Sequence, residues 1–382
     1  MPEQWRTVTR LEKANFYNDW LAKSEENEQI VHRDPCVSYG KDVVYVETPQ
    51  DYRIGMLIGE QVGFPTNGTN LCRAFLPAGH HTGKHRHGEE AIHILSGEGF
   101  MILDDKRYDF HKGTTIHIPY FGVHQLFNTG KTEVSYITAQ AMDLDLFVRL
   151  GRLEQLEEKG ANKPGFEAAF PAETSQFDDK NRRITLHIED APDEQKRRDE
   201  LAKQRRAEAE ARGETVSEHG HGHGHGHGHG DGGHGHGHGE EGGNRRNKGK
   251  SQNPHRHGQI LILMGGGESP SPERNGFTGV SVAMTNIFEE VPHTSSHLHS
   301  HTEAVLYVLE GIGFSEVDYE HYDWQAGDAV HVTPKMTRHE HFNPSDTPTR
   351  TLRIEYGIRY FYEPLWDGYE KVEHREEAIA RP

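Results

Sequence analysis

The residues best suited to chemistry are histidines set two apart. His85 and His87 flank Arg86 in "HRHGEEAIHILSGEG", and Glu89 and Glu90 follow directly. In an extended strand, residues two apart point to the same face, so both imidazoles can aim at one point while Arg86 faces away. A third histidine on a neighbouring strand, His124, would complete a facial set. Neutral imidazole suits iron, manganese, nickel, copper and zinc alike, so ligand type alone does not choose the metal.

The pattern recurs downstream. His299 and His301 flank Ser300, and His339 stands where His124 stands in the first copy. In the same register Gly97 meets Gly311, Phe100 meets Phe314, Tyr108 meets Tyr322, Gly113 meets Gly327 and His117 meets His331. After one inserted residue, Asn128 meets Asn343. A repeat this long, with glycines and histidines in register, marks two copies of one domain. Glu89 meets Glu303, but Glu90 meets Ala304. The first copy therefore offers three histidines and a carboxylate, and the second three histidines alone. A one-residue slip would bring Glu303 into place, but it would turn every side chain of that strand to the other face.

The elements that must position these residues are short strands. From 42 to 141 runs such as "NLCRAFL", "AIHIL", "GFMIL", "TTIHIP" and "VSYITAQ" are separated by Gly, Pro and Asp clusters. Strands of the same kind return from 259, as in "AVLYVLEG", "DAVHVTP" and "RTLRIEYGIRYF". Many short strands with turn signals predict an all-β sandwich or barrel. Helices are expected at 8–25 and over "LFVRLGRLEQLEEKG", closed by Gly160. The domain plan is an N-terminal helical arm at 1–40, barrels at 41–175 and 258–365, a linker at 176–257 and a tail at 366–382.

The linker is expected to be largely disordered. It holds a charged, solvated helix and then a His-Gly tract, 219–239, with nine of the thirty histidines. Such a composition cannot bury enough to offset its conformational entropy. The tract reads as a spacer or as a weak chelator of nickel, zinc or copper.

Bulk properties exclude several function classes. Lys and Arg number 42 against 60 Asp and Glu, a formal charge of -18, so phosphate backbones are repelled and nucleic acid is not an expected partner. Cys36 and Cys72 are the two cysteines, too few for a disulfide framework. Cys72, in an apolar run, reads as a small buried residue rather than a nucleophile. No stretch approaches ~18 consecutive apolar residues, so no membrane span is expected. A cytoplasmic homo-oligomer is the expected setting.

These motifs resemble the two-domain members of the cupin superfamily, the bicupins. The first copy carries Gly79, His85, His87, Glu90 and Gly97, then Gly113, Pro119, His124 and Asn128. The second carries His299, His301 and Gly311, then Gly327, Pro334, His339 and Asn343. In the first copy the spacing from His87 to Glu90 is one or two residues shorter than usual, while that from Glu90 to Gly97 matches. The resemblance implies two jelly-roll barrels, with His85, His87, Glu90 and His124 as metal ligands in one and His299, His301 and His339 in the other. The missing second carboxylate and the run Trp324, Gly327, Asp328, Pro334, His339, His341 and Asn343 resemble gentisate 1,2-dioxygenases and related ring-cleaving bicupins.

That likeness implies a divalent metal, Fe(II) before Mn, Ni or Zn, acting with O2 on a small aromatic or acidic substrate. A manganese decarboxylase of the oxalate type and a non-catalytic metal-storage cupin are the alternatives. Arg73, Tyr120 and Gln125 are candidates for contacting substrate, although a salt-bridged arginine is the plainer reading of Arg73. His117 and His331 read most plainly as packed strand histidines.

Overall fold

The computed structural model describes residues 16–30, 36–150, 153–171, 175–212, 257–265, 275–296, 298–334 and 337–358. The His-Gly tract, the C-terminal tail and the start of the N-terminal arm lie outside them. Within the arm, the helix runs over Phe16–Ile30.

Each repeat folds into two antiparallel sheets. In the first, one sheet runs Thr185–Leu186, Thr115–Ile118, Glu90–Ser96, Val134–Gln140, Asn70–Leu76 and Arg53–Ile58. In the facing sheet, His124–Asn128 pairs with both Lys84–Arg86 and Glu98–Leu103. In the second, one sheet runs Val37–Ser38, Ala329–Val332, Ala304–Glu310, Thr349–Tyr356, Val282–Glu290 and His257–Ile262. Its facing sheet brings His299–His301 against Thr337–Asn343. Gly97 and Gly311, at φ 86° and 90°, turn the chain from one sheet to the other, a conformation that costs glycine little.

Strand alternation explains why both faces of the two six-stranded sheets are apolar. Ile92 and Ile94 point into the first barrel, where they meet Leu103 and Leu126. Leu306, Val308 and Val330 point into the second, with Trp324. The residues between them, Ala91, Ile137 and Ala139 on one sheet and Val305, Tyr307, Leu352 and Ile354 on the other, form one core shared by the barrels. A strand buried on both faces reads as a continuous apolar run, as "AIHIL" and "AVLYVL" do.

The barrels also borrow strands from beyond their repeats. Val37–Ser38, near the start of the chain, pairs with Ala329–Val332 of the second barrel. Thr185–Leu186 pairs with Thr115–Ile118 of the first. Two sequence expectations are corrected here. Residues 176–191 do not behave as linker: Ile184 and Leu186 are buried in the first barrel, and only then does the charged helix Glu194–Ala211 begin. The expected helix over 146–160 is instead a helix at Met142–Phe147 followed by a strand at Glu154–Glu157. That strand pairs with Lys84–Arg86, and Glu154 accepts from Arg86 at 2.8 Å, so tertiary pairing overrides the helix propensity of its Leu and Glu residues.

Candidate metal centres

In the first barrel the register sets His124 directly across from His85. The ring centroids of His85, His87 and His124 lie 4.1–5.2 Å apart, and all three side chains are buried. Each Nδ1 faces a backbone carbonyl: His85 that of Gly83 at 2.8 Å, His87 that of Gly88 at 3.0 Å, His124 that of Gly122 at 2.9 Å. A carbonyl can only accept, so Nδ1 carries the proton and each Nε2 turns a lone pair inward. Burial, together with the two neighbouring rings, holds His85 strongly toward its neutral form.

Glu90 closes the set. Its Oε2 lies 3.3 Å from His87 Nε2 and 3.4 Å from His124 Nε2. Its Oε1 accepts from the Thr138 hydroxyl and, at 3.0 Å, from Gln140 Nε2. His87 Nε2 and His124 Nε2 are buried with no hydrogen-bond partner among the described residues. Two inward lone pairs beside a carboxylate, with no donor between them, fit a divalent cation, and these three histidines can hold one.

The second barrel repeats the triad. His299, His301 and His339 have centroids 4.3–5.1 Å apart and can likewise hold a metal ion. His301 Nδ1 faces the Thr302 carbonyl at 2.6 Å and His339 Nδ1 that of Thr337 at 2.7 Å. Their Nε2 atoms then face each other at 3.1 Å. That separation suits one proton shared between the rings, and equally two imidazoles sharing one ion at about 2.1 Å, which stand about 3 Å apart. Burial holds His339 well below its ordinary value, with His299 and His341 adding to the effect.

The strand does not slip. Ala304 takes the place of Glu90, and Glu303 points the other way, toward His331 at 3.0 Å. Glu89 does the same with His117 at 2.7 Å. The two pairs clasp the barrels reciprocally. Glu89 accepts from the backbone of Val280 and Ser281 in the second barrel, and Glu303 from the Asn67 backbone and the Thr69 hydroxyl in the first. His117 and His331 are thus interface residues, each on a carboxylate next to the ligand position.

The structure separates the three candidate substrate contacts. Arg73 lies on the face of its strand opposite Cys72 and Ala74, over the Phe75 ring and near Gly327 of the second barrel, so it is not in the first barrel's cavity. Gln125 also turns away from the metal side: it donates to the Thr82 carbonyl at 2.8 Å and contacts His81. Both corrections follow from alternation, since each is an odd neighbour of an inward residue. Tyr120 is half-buried and donates to Asp145 at 2.6 Å; Asp145 is raised by burial and sits against Gly88, the residue after His87.

Sequence reasoning missed the residues that hold Glu90. Tyr136, Thr138 and Gln140 alternate along one strand and face the interior, and Tyr136 donates to buried Asp51 at 3.1 Å. Burial pushes Asp51 up to about 6 and the Cys72 thiol up to about 12, which removes Cys72 as a nucleophile. The available signal was the polar alternation in "VSYITAQ", unexpected for a strand buried on both faces.

Comparison with known proteins agrees with this architecture. A family model described as a cupin domain matches twice, at residues 73–139 and 287–355. Each repeat thus carries one match to a cupin domain. Over 70 residues it is 36% identical to an uncharacterised protein of Methanocaldococcus jannaschii, a match covering 18% of this chain and 56% of that relative, so the chain spans only about half of its length.

Among solved structures, it superposes on a variant of Bacillus subtilis oxalate decarboxylase with a TM-score of 0.55 at 12% identity, covering 85% of this chain and 78% of that one. The Lactobacillus farciminis oxalate decarboxylase formate complex gives 0.54 at 12% identity, covering 84% and 86%. Salicylate 1,2-dioxygenase from Pseudaminobacter salicylatoxidans gives 0.49 at 13% identity, covering 85% and 78%. The two likenesses to oxalate decarboxylases establish the fold. No described helix is long and apolar enough to cross a membrane.

Proposed function

We propose that the protein is a metal-dependent dioxygenase that uses Fe(II) in the first barrel and acts with O2 on a small aromatic or otherwise acidic substrate. The observation that carries this reading is the convergence of three buried, inward-facing Nε2 atoms with the Glu90 carboxylate. His85, His87, His124 and Glu90 would hold the ion, and a divalent iron bound there would supply open positions at which substrate and O2 could meet.

The chain's own residues do the rest. The three Nδ1–H···O=C contacts fix the tautomer and orientation of each ring, and Thr138 and Gln140 fix the carboxylate. Leu103, directly across from His124, and the buried Ile92, Ile94 and Leu126 wall the interior with apolar surface and exclude water.

Glu90 also favours a second reading. A carboxylate oxygen in the set suits manganese, and a Mn(II)-dependent decarboxylase acting on a small dicarboxylic acid needs the same donors. One experiment separates them. The full-length protein, loaded with Fe(II) or Mn(II), is given gentisate, salicylate and oxalate while oxygen uptake and carbon dioxide release are recorded. Oxygen uptake with an aromatic acid, lost in His85→Ala, supports the dioxygenase. Carbon dioxide release from oxalate without net oxygen uptake replaces it with the decarboxylase. Metal binding with neither leaves a metal-storage cupin.

A further inference from the structure

The second barrel lacks a carboxylate at the Glu90 position but not at that level of the barrel. In the first barrel Glu90 is directly across from Gln140 on the neighbouring strand. In the second, Ala304 is directly across from Glu355. The same register sets Thr138 across from Ile92 and Arg353 across from Leu306. The trio Glu90, Thr138 and Gln140 of one barrel is therefore the trio Ala304, Arg353 and Glu355 of the other. The carboxylate has crossed from one strand to its partner.

Two observations place Glu355 on the metal side of the sheet. Leu352, Ile354 and Tyr356 belong to the core shared by the barrels, so Arg353 and Glu355 face the opposite way. Their cross-strand partners Ala304 and Leu306 share that face, and Leu306 lies in the core of the second barrel. Glu355 is buried, and its Oε1 accepts from Arg353 at 2.8 Å. Glu90, too, has one oxygen engaged by a neighbour on the adjacent strand, Thr138. Cross-strand Cβ atoms stand about 5 Å apart, so moving a carboxylate across the pair and shrinking the vacated position to alanine keeps it within a side chain's length of the same point.

We propose that Glu355 is the acidic ligand of the second metal centre, with Arg353 as the residue that orients it. The inference rests on the reading of His299, His301 and His339 as metal ligands. It makes the two centres different in charge. The first carries an anionic carboxylate held by neutral groups. The second carries a carboxylate whose charge Arg353 offsets, so a divalent ion there is neutralised less by the protein and retains a stronger demand for an anionic ligand.

Mn(II) is the probe, since it is bound least strongly by imidazole-only sites such as the His-Gly tract. It is titrated into metal-stripped full-length protein carrying His85→Ala and His124→Ala, so that the second barrel alone is read, with free Mn(II) followed by electron paramagnetic resonance. Glu355→Gln, which keeps a hydrogen-bond partner for Arg353, is expected to weaken binding about tenfold or more. The transplant Ala304→Glu, Arg353→Thr, Glu355→Gln, which recreates the first barrel's trio, is expected to return the affinity to within about threefold of the parent.

Unchanged binding in Glu355→Gln, with binding abolished by His339→Ala, overturns the role of Glu355 and leaves the triad standing. Weakened binding that the transplant does not recover also overturns it. Binding indifferent to His339→Ala sinks the triad itself and the proposal with it. The thermal transition of each variant confirms that it is folded.

Discussion

The Glu89 carboxylate of the first barrel accepts from the Ser281 hydroxyl at 2.8 Å and from its backbone N–H at 2.5 Å in the second. Glu303 and Thr69 repeat the contact in the other direction at 2.8 Å. Both carboxylates adjoin the metal-side position of their strands, so the interface and the two centres share backbone. With a core common to both barrels, the two repeats are expected to unfold as one unit. Glu89→Ala removes the acceptor for buried donors and leaves His117 without its partner, at a cost of about 3 kcal/mol. Denaturant unfolding followed by fluorescence and circular dichroism checks this. Two separated transitions in the parent would contradict it.

Thr138 and Gln140 are expected to matter to the metal without touching it. Thr138→Val removes one of the two donors to Glu90 Oε1 and is predicted to lower metal affinity in the first barrel about 10–100-fold. Affinity in the second barrel should not move. Chelator competition on the full-length protein resolves the two centres.

Asp51 gives a pH dependence of stability. Burial raises its folded value to about 6, against about 3.9 for an unfolded aspartate. Between these values the folded state binds more protons, so stability falls as pH rises from about 4 to 6 and levels off above. The stabilisation is fully present below the unfolded value, and about 2–3 kcal/mol is lost across this window. Asp51→Asn is expected to flatten this slope. An unchanged slope would assign the dependence to other groups.

At the first barrel's rim, Tyr120→Phe removes the hydroxyl that donates to buried Asp145. The expected loss is about 1–2 kcal/mol of stability with metal content unchanged. A fall in bound metal would instead make the Tyr120–Asp145 contact part of the support for His87.

Much of this was legible in the sequence because it is periodic. Two-residue spacing set His85 and His87 on one face, and register in the repeat paired His124 with His339. The same register showed Ala304 at the carboxylate position, and the structure bears out that reading over a slipped strand. Arg73 and Gln125 adjoin inward-facing residues in the sequence. Alternation sends them to the opposite face.

Other features depend on residues far apart in the chain. The lending of Val37–Ser38 and Thr185–Leu186 to the two sheets is invisible to local pattern, since a two-residue strand has no period. So are the reciprocal contacts of Glu89 and Glu303. Glu355 lies 51 positions from Ala304, within a strand whose polar alternation fits either a solvent face or a cavity. The sequence by itself determined the repeat, the strand periodicity and which histidines share a face, because these are properties of neighbouring residues. Tertiary structure decided which faces turn inward and which carboxylates meet which imidazoles, because cross-strand register and the closure of two sheets bring distant side chains together.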